Sequence, residues 1–357
     1  MLKNVRVIDF TVYLPGPFAS MRLADLGAEV IKVEPVGGEP ARSMNNFLFL
    51  ANNRNKKSIC INLKEESGQQ AVLDLIREAD VVIESFRPGV MARLGLDYET
   101  VKKINRNIIY CSITGFGQQS SLSQLGSHDL NYMSISGVLA QLKDENGKPV
   151  HPTHTFADMI GGIAANEAIL AALFSREKNG EGQYIDISLA DVMISLMGNH
   201  VLIENETGFQ HGVDLLAGMI INYAIYETSD HRFVSLAALE QKFWRNFCNG
   251  VGRPSWVDGY LTKTDSNNPI YEDVKSLFKS KTFQEWIAFS QEVDCCLTPV
   301  LEAGELTEFH YIKEKELIFE LDGIRQVKTN PLFLQDELRK PPAVGEHTTE
   351  ILNKIEN

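Results

Sequence analysis

The sequence predicts an α/β protein in which a large domain, built on an open and mostly parallel sheet, is joined to a smaller α+β domain. Three observations carry that expectation. Short apolar runs alternate with amphipathic segments through the first 114 residues, the signature of strands covered by crossover helices. The 357 residues exceed the size, about 250–300 residues, at which a single hydrophobic core stops growing. Finally, the periodicity fades around residues 204–216 and resumes as a pair of short alternating strands.

Taken in order, residues 5–10 form an apolar run, and Pro15-Gly16-Pro17 precedes a helical pattern over 18–26 that Gly27 closes. Residues 28–34 give a second strand. Strands at 58–63, 80–86 and 107–114 are separated by helical patterns at 67–79, with Val72, Leu75 and Ile76 on one face, and at 98–104. The arrangement is Rossmann-like. A long Ala- and Gly-rich helix is expected over 161–174, ended at Gly180-Glu181-Gly182, then a strand at 184–188 and a further helix from 190. Residues 1–198 are therefore assigned to the large domain and 199–223 to a linker. Residues 224–300 form the small domain, with strands at 224–226 and 233–237 and helices at 242–248, 271–278 and 282–291. Residues 301–311 return the chain, and the tail 312–357 completes the large domain.

Composition narrows the function. A net charge of −13 argues against general affinity for nucleic acid or acidic membranes. No uninterrupted apolar run reaches the roughly 20 residues that span a bilayer, and the chain reads from Met1 directly into a strand without a signal-peptide core. The five cysteines are spaced for neither a zinc site nor a disulfide framework, so the cytoplasm is the expected compartment. The first strand–helix turn, Val12-Tyr13-Leu14-Pro15-Gly16-Pro17, lacks the glycine spacing of a dinucleotide site. No metal or redox cofactor is expected.

An anionic ligand of so acidic a chain needs local cations. Arg54-Asn55-Lys56-Lys57 supplies a cluster immediately before a strand, either a phosphate grip or a solvated turn. Arg87, in the Phe86-Arg87-Pro88-Gly89 turn, is a loop charge or a second phosphate contact. Two candidate acid/base groups, His128 and Asp158, stand 30 residues apart (158 − 128) with a polar loop between them. Such a loop folds back readily, and imidazole and a buried carboxyl can both titrate near neutrality. Spacing alone leaves a hydrogen-bonded His and a solvated Asp as the alternative. Glu240, ahead of a helix, reads first as a carboxylate stabilised by the helix dipole.

Several blocks together resemble the family III CoA-transferases, the CaiB/BaiF family. They are the LADLGAEVIKVE run at 23–34, Asn62-Leu63-Lys64, Phe86-Arg87-Pro88-Gly89-Val90, Leu94-Gly95-Leu96, Ser112-Ile113-Thr114-Gly115-Phe116-Gly117-Gln118 and Gly180-Glu181-Gly182-Gln183. The resemblance runs from residue 2 to about residue 305. It implies an acyl-CoA substrate, an interlocked homodimer, no prosthetic group, and CoA contacts from Arg54, Lys56, Lys57, Asn62, Leu63, Lys64, Arg87, Ser127, Asp129 and Tyr132.

In members resembling formyl-CoA transferase, the residue matching Asp158 attacks the thioester to form a mixed anhydride. In members resembling α-methylacyl-CoA racemase, it works with the His of a G-H-D-x-N-Y motif. Ser127-His128-Asp129-Leu130-Asn131-Tyr132 keeps that motif with Ser in place of Gly. Ala238-Leu239-Glu240-Gln241 resembles the stretch that brings a Glu to that His, with Gln in place of Pro. The racemase branch is therefore the expectation, with CoA transfer between carboxylic acids as the alternative. The segment 216–221 lacks the acidic, glycine-rich character of racemase pockets, a departure that bears on the acyl chain.

Overall fold

The computed structural model describes residues 1–144, 146–333 and 338–355. Glu145 of the expected polar loop, and residues 334–337 and 356–357 of the expected tail, lie outside them. The chain divides into two compact units, residues 1–197 with 316–357, and residues 198–315.

The first unit begins β1 (Arg6–Asp9), α1 (Pro15–Asp25), β2 (Glu29–Glu34), α2 (Pro40–Met44), α3 (Asn46–Asn52) and β3 (Lys57–Cys60). It continues with α4 (Glu66–Arg77), β4 (Val81–Glu84), α5 (Val90–Arg93), α6 (Tyr98–Ile104), β5 (Ile109–Thr114), α7 (Asp129–Ile135), α8 (Phe156–Asn179), β6 (Gln183–Ser188) and α9 (Leu189–Ser195). All six strands are parallel, in the order β3-β2-β1-β4-β5-β6.

Both faces of this sheet are buried, which explains the near-continuous apolar runs in the sequence. Val7, Val81, Ile83, Ile109 and Cys111 face a layer that includes Leu23 of α1 and Ala165 and Ile169 of α8. Their neighbours Ile8, Val82 and Tyr110 point the other way, into a layer with Leu75 and Ile76 of α4 and Val101 of α6. The order reverses between β1 and β4, so the loops leaving these two strands diverge and open a crevice at the carboxyl edge.

Helix α8 begins at Phe156 rather than near residue 161, which places Asp158 inside its first turn. Glycines let it approach closely: a Cβ on Gly162 would sit 2.7 Å from the carbonyl oxygen of Pro15, the first residue of α1. This helix is also long and apolar enough, by length and composition, to cross a membrane. The sequence reading missed that because charged residues interrupt the run; here Ala165, Ile169 and Ala172 belong to the core of one sheet face.

The second unit contains α10 (Gly198–Thr207), β7 (Tyr223–Glu227), β8 (Phe233–Ala237), α11 (Gln241–Gly250), α12 (Pro269–Phe278), α13 (Phe283–Glu292), β9 (Leu297–Pro299) and α14 (His310–Glu314). Its three strands are antiparallel, in the order β7-β8-β9, over a core rich in aromatics such as Trp244, Phe247, Phe278 and Trp286. The stretch expected as linker, 199–223, is in part helical. Its apolar side chains Val201 and Leu202 are exposed within this unit, so no one-sided periodicity marked the helix.

After residue 315 the chain rejoins the first unit as a hairpin, β10 (Ile318–Leu321) and β11 (Ile324–Val327), and ends in α15 (Thr348–Ile355). Gln326 of the hairpin accepts a 2.7 Å hydrogen bond from Arg54, and the His347 amide donates to the Ser58 carbonyl.

Candidate active site at the carboxyl edge of the sheet

The loops after β1, β4 and β5, together with the start of α7 and the first turn of α8, enclose a cleft of about 870 Å³. Tyr13, Leu14, Met44, Leu48, Phe86 and Phe116 give it apolar walls; the sequence reading quoted some of them within turns and family blocks but assigned none to the site. Loop residues from separate strands carry no shared periodicity, so no local signal marked them. Arg87, Ser127, His128, Tyr132 and Asp158 supply its polar groups.

His128 is the residue before α7, and its side chain is exposed. Its amide donates a 3.0 Å hydrogen bond to Asn131 Oδ1, so the Asn of the motif caps the helix and holds the His at its mouth. Asp158 is half-buried in the first turn of α8. Asp129 ties the two helix ends together by accepting the Asp158 amide at 3.0 Å. Burial, reinforced by the like charge of Asp129, pushes the Asp158 carboxyl up to about 7. A carboxyl so placed exchanges a proton near neutral pH, which an exposed aspartate does not.

Because the Asp158 amide is committed to Asp129, it is not free to stabilise a substrate oxyanion. The amides of Phe156 and Ala157 remain in that turn. Tyr132 is buried, with its hydroxyl 3.0 Å from Ser127 Oγ, and burial raises its pKa despite that hydrogen bond. Arg87 is exposed and has no acidic partner among the described residues. Gly126 makes room for it, since a Cβ there would lie 3.1 Å from Arg87 Nη2.

The basic cluster is another matter. Arg54 is buried and grips Asp25 through two hydrogen bonds of 2.9 and 2.6 Å. Lys56 is also buried, 3.1 Å from Asp9 and bonded to the Pro17 carbonyl and Asn53. Burial lowers the Lys56 ammonium to about 8; burial opposes ionisation of Asp9 too, but Lys56 and Lys32 hold that carboxyl at about 2. Lys57 pairs with Glu29 at 2.7 Å, at the amino end of its strand. The expected phosphate grip is thus corrected: Arg54 and Lys56 neutralise core carboxylates, and Lys57 lies on the edge opposite the cleft. A buried cation needs its partner to offset desolvation, so these residues hold α1 and the C-terminal hairpin to the sheet.

Asn62, Leu63 and Lys64 follow β3 on the carboxyl edge but do not line the cleft. Asn62 organises that turn by accepting the Lys64 amide at 3.1 Å, which leaves the Lys64 side chain exposed. Glu240 stands at the start of α11 in the second unit, exposed and without a capping hydrogen bond from its side chain.

Residues 2–348 match the profile of CoA-transferase family III. The chain belongs to that family. This family III protein is 30% identical to the human succinyl-CoA:glutarate CoA-transferase, over 99% of its own length and 86% of the relative. It is 32% identical to the mouse α-methylacyl-CoA racemase, over 99% and 93% of the two chains. Among solved structures, that of a CaiB/BaiF family protein from Brucella suis superposes with a TM-score of 0.86 at 26% identity, covering 99% of both chains. The family III assignment makes the substrate an acyl-CoA thioester, and relatives named for both reaction types match 99% of the chain.

Proposed function

We propose that this protein racemises 2-methylacyl-CoA thioesters by 1,1-proton transfer between His128 and Asp158. One observation carries the reading: an imidazole and a carboxyl raised to about 7 line the same cleft. The thioester carbonyl acidifies the α-carbon. One of the two groups takes the α-proton as the C–H electron pair moves into the enolate, and the other returns a proton to the opposite face as the carbonyl reforms. No redox or metal chemistry enters this sequence. Arg87 and Lys64 are the cations on the carboxyl edge suited to the CoA phosphates, and CoA takes part only as a portion of the substrate. The expected compartment is the cytoplasm.

The test is incubation of the protein with (R)- or (S)-2-methylacyl-CoA in deuterated water. The α-proton signal should disappear and the optical activity should decay toward zero. Retention of the α-proton through complete turnover with an added carboxylate would sink the proposal. The second reading, transfer of CoA between acids through an Asp158 anhydride, is favoured by the uncompensated Arg87, which suits an acceptor carboxylate, and by the transferase relatives.

The protein also acts, in this proposal, as an interlocked homodimer in which Glu240 of one subunit orients His128 of the other and favours its protonated form. Exposed apolar side chains within each unit, Ile194 and Leu196 in the first and Val201, Leu202 and Met219 in the second, support self-association. Co-expressed Asp158→Ala and Glu240→Ala chains should then recover activity as isolated heterodimers. Heterodimers as inactive as the two parents would exclude a shared site.

A further inference from the structure

We infer that Tyr132 is a catalytic residue, the side-chain hydrogen-bond donor to the thioester oxygen as negative charge develops on it. Whichever reaction the cleft performs, that oxygen gains charge, as an enolate in proton transfer or as a tetrahedral oxyanion in acyl transfer. A donor fixed in advance stabilises the charge without reorganisation. With the Asp158 amide occupied by Asp129, a side-chain donor is needed beside the remaining backbone amides.

Tyr132 meets the requirement on four counts. It lies one helical turn beyond His128, its amide donating to the His128 carbonyl at 3.4 Å, and it lines the same cleft. Its ring is immobilised: Phe116 packs edge-on at 5.6 Å, and only a glycine fits at 115, where a Cβ would approach the Tyr132 hydroxyl to 2.6 Å. The residue is only 5% exposed, so little of it is open to bulk water. Ser127 Oγ donates to the Tyr132 oxygen at 3.0 Å, which occupies an acceptor site and leaves the phenolic hydrogen without an acceptor among the described residues.

Ser127 thereby acquires a role of its own. A hydrogen bond received by the phenol oxygen polarises its O–H and makes it the stronger donor. Glycine, the usual residue at this position of the motif, cannot do this. Ser127 is a positioning and polarising residue that acts through Tyr132.

Acetoacetyl-CoA tests the donor without turnover, because its enolate absorbs in the near ultraviolet and carries charge on the thioester oxygen. In the wild type, bound acetoacetyl-CoA should ionise at lower pH than in water. Tyr132→Phe should move that ionisation upward by one or more pH units, and Ser127→Gly should move it upward by less. With the protein's own substrate, Tyr132→Phe should lower kcat about 10²–10³-fold, the range for one oxyanion donor, with KM changed by no more than a few-fold. An unchanged enolate ionisation in both variants overturns the inference. Should Tyr132→Phe fail to fold, Ser127→Ala and Ser127→Gly carry the same titration. The inference rests on the shared thioester chemistry: a wild type that leaves the α-proton untouched would defeat the racemase proposal alone, and the acetoacetyl-CoA titration would still decide Tyr132.

Discussion

Replacement of His128 by Ala is expected to lower racemisation of 2-methylacyl-CoA by about 10²–10⁴-fold, the contribution of one positioned acid/base group. A racemase must carry a proton to each face of the α-carbon; His128 and Asp158 line one cleft, and in the proposed reaction each serves one face. In the proposed racemase reaction the variant should therefore separate proton exchange from inversion. Exchange of the α-proton into deuterated solvent should persist for the enantiomer that presents its proton to Asp158, while inversion ceases and the other enantiomer becomes inert. In a transferase the same change would leave CoA transfer to an added carboxylate largely intact. Parallel NMR and optical-rotation time courses on each enantiomer distinguish the cases. Equal loss of exchange for both enantiomers would show that His128 supports the site without carrying a proton.

Replacement of Asp158 by Asn should end both racemisation and acyl transfer, while making the fold more stable at alkaline pH. The sign follows from the environment. Burial and the neighbouring Asp129 raise the carboxyl from 3.8 to about 7 in the folded protein. A group raised on folding favours the native state fully below its unfolded value, and that contribution is lost as pH rises through the folded value. Wild type and Asp158→Asn should thus differ little in stability near pH 4. The gap should widen through pH 7 and then stay constant. A shift of this size corresponds to at most about 4 kcal/mol, and relaxation around a half-buried group brings the expectation to about 2 kcal/mol. Thermal unfolding of the two proteins across pH 4–8 measures it, and a constant gap over that range would refute the raised carboxyl. Asp129→Asn removes the like charge and should move the rate-controlling ionisation of Asp158 toward lower pH. Because burial is the larger cause, the move should be only part of the total.

The fold was legible because its signals are local. Strand–helix alternation, apolar runs buried on both faces and glycine stops each arise within a few residues, and together they demand a parallel sheet covered on both sides. His128 and Asp158 were legible as residue types in a motif. Their chemistry was not, since a histidine and a carboxylate 30 residues apart also read as a hydrogen-bonded His and a solvated Asp.

The cluster Arg54-Asn55-Lys56-Lys57 marks where local reading fails. Four polar residues before a strand look solvated. The partners that internalise Arg54 and Lys56 are Asp25, Asp9 and Gln326, which are 29, 47 and 272 residues away. No local pattern encodes such pairs. Residue 158 shows the same limit within a single helix: the apolar run begins at Gly161, whereas the helix begins at Phe156, because its first turn is held by Asp129 from another element.

By itself, the sequence determined the α/β class, the membership of CoA-transferase family III and the identity of the acid/base candidates. Periodicity and motif are properties of neighbours in the chain. Only the tertiary structure decided which cations are core counter-charges and which remain open to a ligand, and that Asp158 is tuned to about 7. Those outcomes depend on burial and on the distance between charges, and both are set by contacts between residues far apart in the chain.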